Sequence, residues 1–175
     1  MMILFIYKIE GNMKYQDGFK CDKKAKEVVK DLINNEWFSA CTVVFDEENE
    51  MNDYAPVDFL FTAYTNTQSA PYAIELKYRM GYNHNDYDSW MIEPEKCNTL
   101  KQYQNCGYRT EYINIFKDGY YAMWNIDTIT SASTESVFSI KPHTQAEYEE
   151  KPVEKKRILI PLNKAFKQGY INDKI

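Results

Sequence analysis

Three successive stretches rich in β-branched and aromatic residues most constrain how this chain can fold. They cover 37–45, 57–65 and 72–79, and polar segments at 46–53 and 66–70 separate them. Runs of this composition are typical of strands, and short polar connections join strands as antiparallel neighbours. The sequence therefore predicts a three-stranded antiparallel meander.

A helix is predicted on each side of this meander along the chain. Apolar residues recur with the helical period over 25–33, which predicts a first helix from an N-cap at Asp22 to about position 34. A second helix should begin near Glu93 or Pro94, because proline is tolerated in the first helical turn. It should end near Gly107, since glycine commonly follows the last turn of a helix. This arrangement favours an α/β protein.

Two more strands are predicted after the second helix. The segments 111–116 and 120–126 have strand composition, and the Asp118-Gly119 dipeptide between them is a strong signal for a hairpin turn. The stretch 127–156 lacks a clear period, and 157–161 predicts one last short strand. The element order is therefore helix, three strands, helix, two strands, and a short final strand.

Length and charge bound the possible functions. The 175 residues suit one domain with a sizeable core, so the whole chain, 1–175, is predicted to form a single domain. Its core should span about 22–126, with 127–175 as a peripheral extension. The net charge of −5 argues against non-specific coating of nucleic acid. It does not exclude chemistry on nucleic acid, because metal sites need carboxylates and a bound cation reverses the local field.

The cysteines and the amino terminus indicate a cytoplasmic, reducing setting. None of the four cysteines forms a CxxC pair, so a zinc ribbon is disfavoured and no disulfide is required. The apolar run 1–7 is too short to span a membrane and lacks a basic leader. It is expected to be either an edge strand or sequence upstream of a start at Met13, and no membrane partner is expected.

The residues that indicate chemistry lie on the second and third strands. Side chains alternate between the two faces of a strand, so Glu75 and Lys77 should point the same way. A hairpin would bring Asp58 beside Glu75, which gives two carboxylates and one ammonium in a small site. Mg²⁺ takes one or two carboxylates together with waters and substrate phosphate, and the carbonyl oxygen of Ile74 or Leu76 is a further candidate ligand. This set of groups suits phosphodiester hydrolysis.

At these positions the chain resembles the PD-(D/E)xK nuclease superfamily. The match consists of Pro56-Val57-Asp58 with Glu75-Leu76-Lys77, and it departs from the usual pattern by Val57 between the proline and the aspartate. The resemblance implies a restriction-endonuclease-like core, with a mixed central sheet flanked by helices. It further implies a Mg²⁺- or Mn²⁺-dependent nuclease, with DNA expected as the substrate ahead of RNA. Asp58, Glu75 and Lys77 would be catalytic, and Asp58, Glu75 and the Leu76 carbonyl would hold the metal.

Several polar residues are candidate accessory groups, although each also suits an ordinary solvated surface. Glu27 lies on the first helix, where exposed solubilising charge is the competing interpretation. Arg79, two residues beyond Lys77, would bind phosphate or pair with an acid. On the second helix, Lys96 and Lys101 are candidates for phosphate contact. Gln104 would begin a QxxxY motif that ends at Tyr108.

Two alternatives stay open at this point. The same fold could serve as a non-catalytic module that binds nucleic acid or protein, because fold does not fix function. The Glu-Lys pair could also belong to an ordinary surface hairpin. A homodimer is compatible with the sequence, and polarity, strand preference and pathway leave no signal in it.

Overall fold

A six-stranded mixed sheet forms the centre of the protein in the computed structural model, which describes residues 15–52, 54–140 and 153–171. The apolar run 1–7 and the alternative start at Met13 lie outside the described residues. The described strands are β1 (Thr42–Phe45), β2 (Phe59–Tyr64), β3 (Ser69–Arg79), β4 (Ser89–Ile92), β5 (Arg109–Phe116), β6 (Tyr120–Asn125), β7 (Thr134–Ile140), β8 (Val153–Pro161) and β9 (Lys167–Tyr170).

Helices separate several of these strands along the chain. The described α-helices are α1 (Tyr15–Leu32), α2 (Glu47–Met51), α3 (Pro94–Asn105) and α4 (Ile126–Ala132). A π-helical turn, Ile33–Trp37, continues α1, and a 3₁₀ turn, Leu162–Lys164, precedes β9. None of the helices within the described ranges is long and apolar enough to cross a membrane.

The strand order of the central sheet is β1-β2-β3-β5-β6-β9, and a three-stranded sheet β4-β8-β7 accompanies it. The pairs β1–β2 and β2–β3 are antiparallel, as the meander prediction requires. Strands β3 and β5 are parallel, and the connection between them contains α3. A parallel neighbour needs such a crossover connection. The predicted fold class, α/β with a mixed central sheet flanked by helices, is confirmed.

Two apolar clusters lie on opposite faces of the central sheet. On one face, Val29 of α1 belongs to the same buried cluster as Ile74 and Ile113 of the sheet. On the other face, Leu100 of α3 belongs to a cluster with Trp124, to which α4 and the second sheet also contribute. Even-numbered and odd-numbered residues of β3 therefore face different layers, which decides where its polar side chains point.

Three sequence predictions near the first helix were wrong in detail. Helix α1 begins at Tyr15, so Asp22 lies inside the helix and is not its N-cap. The predicted strand 37–45 shrinks to Thr42–Phe45, because Trp37 ends the π-helical turn and packs its ring 5.2 Å from that of Tyr121. The predicted turn 46–53 contains the short helix α2, whose N-cap Asp46 accepts a hydrogen bond from the backbone N–H of Asn49 at 2.8 Å.

The described chain beyond β6 contains more regular structure than its sequence indicated. It supplies α4, β7 and β9, and β8 is longer than the strand predicted at 157–161. Strand β4 was not predicted either, and it pairs with β8 in the register Trp90 to Ile160. Both glycine predictions are confirmed: Gly107 follows α3 with φ 90°, and Gly119 turns the β5–β6 hairpin with φ 77°.

Candidate active site at the open edge of strand β3

Strand β2 is shorter than β3 at the end that carries Glu75. The register of the two strands ends with Phe59 opposite Ile74, so β3 from Glu75 onward pairs only with β5 among the described strands. Asp58 directly precedes β2, and one further step in this register lies opposite Glu75. The predicted neighbourhood of Asp58 and Glu75 therefore follows from the strand pairing.

The side chain of Asp58 hydrogen-bonds to β3 at the point where the backbone pairing between β2 and β3 ends. Its Oδ2 accepts a hydrogen bond from the backbone N–H of Leu76 at 2.8 Å. Its Oδ1 lies 2.7 Å from Nζ of Lys26, which reaches it from α1. The first contact satisfies an N–H that β2 would otherwise have paired, and it fixes the orientation of the carboxylate beside Glu75.

Glu75 is buried, with 7% of its surface exposed. Its Oε1 lies 3.0 Å from Nζ of Lys96 on α3, while its Oε2 is buried without a hydrogen-bond partner among the described residues. Burial and the nearby Asp58 carboxylate raise the pKa of Glu75 to about 7, although the Lys96 and Lys26 ammonium groups act in the opposite direction. The unpartnered Oε2 leaves one strong acceptor available to a cation or a donor.

Both carboxylates line one cavity of about 780 Å³, whose walls come from α1, α2, β3, β4 and α3. Helix α1 contributes Lys23, Lys26 and Lys30 at helical spacing, so one face of this helix presents a row of ammonium groups. Lys30 pairs with Glu50 of α2, which links two walls of the cavity. The cavity combines acidic and basic groups at the free edge of β3.

Lys77 also lines the cavity, and its side chain is exposed. Partial burial raises the pKa of Asp22 on α1, and the Lys77 ammonium opposes that rise. Asp22 therefore lies at the cavity, whereas the sequence predicted it only as the N-cap of the first helix. Its spacing of four from Lys26 was a usable signal, because such residues share one helix face.

The contacts of Arg79 are with backbone and side-chain groups of the fold. It is 8% exposed, and its Nη2 donates to the Met91 carbonyl of β4 and, at 3.0 Å, to the Tyr112 hydroxyl. The guanidinium also lies 5.9 Å from the Trp90 ring centroid. Arg79 therefore links the second sheet to β3 and β5. These contacts are with a carbonyl and a hydroxyl group and not with an acid, which was one of the two predicted roles.

The other accessory candidates divide between the cavity and its surroundings. Glu27 lines the cavity and is exposed. Lys96 lines it as well, but contacts Glu75. Gln104 donates to Asp127 Oδ1 at 3.0 Å, which ties α3 to α4, and neither it nor Lys101 is among the residues lining this cavity. The end of α3 at Asn105 leaves Tyr108 beyond the helix, which breaks the helical QxxxY spacing.

A metal would have few protein ligands here. Within the described residues, no group of three or more His, Cys, Asp and Glu side chains is arranged to hold a metal ion. Asp58 and Glu75 offer two carboxylates. The N–H and the C=O of a strand residue point toward the same neighbouring strand. Because the Leu76 N–H donates to Asp58, the Leu76 carbonyl also lies on the side of Asp58. Two carboxylates with water fit Mg²⁺, which retains several waters in proteins.

Comparison with known proteins finds similarity in structure and none in sequence. The chain is similar to the solved structure of Hjc, a Holliday junction resolvase from the archaeal hyperthermophile Archaeoglobus fulgidus, with 11% identity and a TM-score of 0.44. The alignment covers 85% of this chain and 92% of the resolvase chain. No family model matches the sequence, and no curated protein does either. A likeness of this size says nothing about chemistry.

Proposed function

We propose that this protein is a Mg²⁺- or Mn²⁺-dependent nuclease that hydrolyses phosphodiester bonds of nucleic acid, with DNA as the expected substrate ahead of RNA. The observation that carries the proposal is the meeting of Asp58 and Glu75 in one cavity, at the strand edge that also bears Lys77. A nuclease needs carboxylates for a cation, a cation for developing phosphate charge, and access for a long polyanion. The open edge of β3 offers two carboxylates and the exposed ammonium of Lys77 in one cavity, which supports the proposal.

Each residue has a distinct proposed role. Asp58 and Glu75, with the Leu76 carbonyl, would hold the metal, which when bound activates water and offsets charge on the phosphate. The unpartnered Oε2 of Glu75 supports this role, because a buried carboxylate oxygen without a donor is costly. Lys77 is exposed at the cavity and would orient the attacking water or stabilise the charge that develops on the phosphate oxygens.

The substrate would enter along α1. Lys23 and Lys30 line the cavity on the helix that also carries Lys26, and a row of ammonium groups is suited to a phosphate backbone. Glu27 on the same wall is exposed, so its proposed contribution is to the rim rather than to the metal. A homodimer and a cytoplasmic location stay predictions of the sequence.

One observation favours a second candidate, a non-catalytic binding module. Both carboxylates already have an ammonium partner, Lys26 for Asp58 and Lys96 for Glu75, so the site is charge-compensated without a metal. Such a cavity could hold the backbone of a nucleic acid, or an acidic peptide, without cutting it.

A cleavage panel separates the two candidates. Single-stranded and double-stranded DNA and RNA would be incubated with the full chain in Mg²⁺, in Mn²⁺ and in EDTA, beside the Glu75→Gln variant of similar shape. The nuclease proposal expects metal-dependent cleavage of at least one substrate, lost in EDTA and in Glu75→Gln. Binding without cleavage by the wild type in both metals would favour the module.

A further inference from the structure

The two carboxylates at the open edge of β3 are held by lysines from opposite layers of the fold. Lys26 comes from α1 and lies 2.7 Å from Asp58, and Lys96 comes from α3 and lies 3.0 Å from Glu75. A cation that uses both carboxylates must therefore replace or share at least one of these ammonium partners. Which lysine yields more easily depends on the burial of each pair.

The Lys26–Asp58 pair is the more exposed of the two. The side chains of Lys26 and Asp58 are 47% and 18% exposed, whereas those of Lys96 and Glu75 are 39% and 9% exposed. Removing a partner from a buried charge is costly, while an exposed ion pair contributes little. Exchange at Asp58 is therefore easier than exchange at Glu75.

Asp58 can change its partner without moving. Its Oδ2 is fixed by the Leu76 N–H, and only Oδ1 faces Lys26. When the ammonium leaves, the carboxylate keeps its orientation through the backbone contact. Lys26 itself would stay in the cavity, because it belongs to the row of α1 lysines with Lys23 and Lys30.

We infer that Lys26 is a positioning residue that occupies Asp58 in the metal-free protein and competes with the divalent cation for that carboxylate. The inference rests on the proposed function, since it assigns Lys26 a role at the proposed metal site. Lys26 thereby keeps the Asp58 charge compensated when no cation is present, and it weakens cation binding by the strength of its own pair. No such role follows for Lys96, whose partner is buried.

The test measures the Mn²⁺ affinity of this 175-residue chain by calorimetry and by the metal-induced rise in melting temperature. Lys26→Met keeps the length of the side chain and removes its charge. Because an exposed ion pair is worth about 1 kcal/mol or less, loss of the competitor should tighten Mn²⁺ binding by up to about fivefold. Lys26→Arg should restore the wild-type affinity to within about twofold, since it retains a cation at the same place.

Two matched variants separate this competition from general electrostatics. Lys23→Met removes a charge from the same cavity and the same helix, and Lys24→Met removes an exposed charge that does not line the cavity. Both should change Mn²⁺ affinity by less than about twofold, because neither ammonium occupies Asp58. Combining Lys26→Met with Asp58→Asn should abolish the tightening.

The outcomes distinguish this inference from the proposed function. Mn²⁺ binding that is equal or weaker in Lys26→Met than in the wild type would overturn the inference while leaving a nuclease intact. Equal tightening in Lys23→Met would also overturn it, because the effect would then be one of overall charge. Absence of Mn²⁺ binding in every variant, together with no cleavage in the substrate panel, would remove the proposed function along with it.

Discussion

The carboxylate of Asp58 accepts a hydrogen bond from the backbone N–H of Leu76, the residue directly after Glu75. The side chain of one proposed ligand is thus attached to the backbone that carries the other. A change at Asp58 can therefore act on the local backbone as well as on charge, and the two effects call for different substitutions.

Asp58→Asn should separate metal binding from folding. Asparagine keeps an oxygen that can accept from the Leu76 N–H but loses the charge that a cation needs. We expect a nearly unchanged melting temperature without metal and loss of most of the rise that Mg²⁺ or Mn²⁺ produces in the wild type. Asp58→Ala should instead cost about 1–3 kcal/mol, because it leaves the N–H of the buried Leu76 unpaired. Thermal and denaturant unfolding of both variants, with and without metal, check this. Equal metal responses in Asp58→Asn and the wild type would show that Asp58 is not a ligand.

Lys77→Ala should reduce cleavage far more than binding. The Lys77 side chain is exposed, so stability should change by no more than about 0.5 kcal/mol. Cleavage should fall on the order of 10²-fold or more if this ammonium stabilises transition-state charge. Single-turnover cleavage beside equilibrium binding at one salt concentration measures both quantities. Lys117→Ala, an exposed lysine that does not line the cavity, is the control and should leave both unchanged. Comparable losses in cleavage and binding for Lys77→Ala would reduce Lys77 to a substrate contact.

Arg79→Met should destabilise the fold rather than weaken substrate binding alone. The buried guanidinium donates to the Met91 carbonyl and to the Tyr112 hydroxyl, and its removal leaves both acceptors without this donor. We expect a loss of about 2–3 kcal/mol in the free energy of unfolding. Nucleic-acid affinity, measured well below the new melting temperature, should stay close to that of the wild type. A normal stability with a large loss of affinity would restore Arg79 to the phosphate-binding role predicted from the sequence.

Glu111 should make stability depend on pH outside the candidate site. Burial raises its pKa from 4.5 to about 7, although Lys167 and Arg109 act against this rise. The folded protein then holds the Glu111 proton more tightly than the unfolded chain does. The stabilisation that this proton gives to the folded state is therefore complete below about pH 4.5 and is lost as the pH rises through 7. Relative to the wild type, Glu111→Gln should gain at most about 3 kcal/mol between these pH values.

Denaturant unfolding from pH 4.5 to 8 measures this gain. The exposed Glu135 supplies the control, because Glu135→Gln should run parallel to the wild type across the whole range. A constant difference between Glu111→Gln and the wild type would mean that Glu111 titrates alike in the folded and unfolded states.

Local sequence patterns were enough to predict the central part of the fold. The meander, α3 and the Asp118-Gly119 hairpin leave signals within a few residues of one another, either as periodicity or as turn composition. The second sheet leaves a signal only at 157–161, which belongs to β8. Strand β4 has four residues and pairs with β8, so that Trp90 meets Ile160 across 70 positions of the chain. Pairing over that distance depends on tertiary packing and not on local propensity.

The candidate site was predictable on the strands and less so on the helices. Alternation along β3 was enough to put Glu75 and Lys77 on one face, and the hairpin brought Asp58 near them. Which helical residue faces the sheet edge depends on how a helix packs, and a wrong start for α1 concealed the cavity position of Asp22. Lys26 had only the helical spacing of the α1 lysines as a signal, and such spacing is also typical of a solvated face.

Because β2 ends early, part of the edge of β3 has no neighbouring strand among the described residues, and this affects self-association of the protein. A strand edge with unpaired N–H and C=O groups is a template for another chain, and natural proteins protect such edges with charge. The part of β3 that β2 does not pair begins at Glu75, and it carries the exposed side chain of Lys77 and lies beside the Asp58–Lys26 pair. The same charges that make the edge suitable for a phosphate backbone would thus repel a neighbouring strand. Neutralising them together, as in Lys26→Met with Lys77→Met, should make the protein more prone to aggregate through this edge.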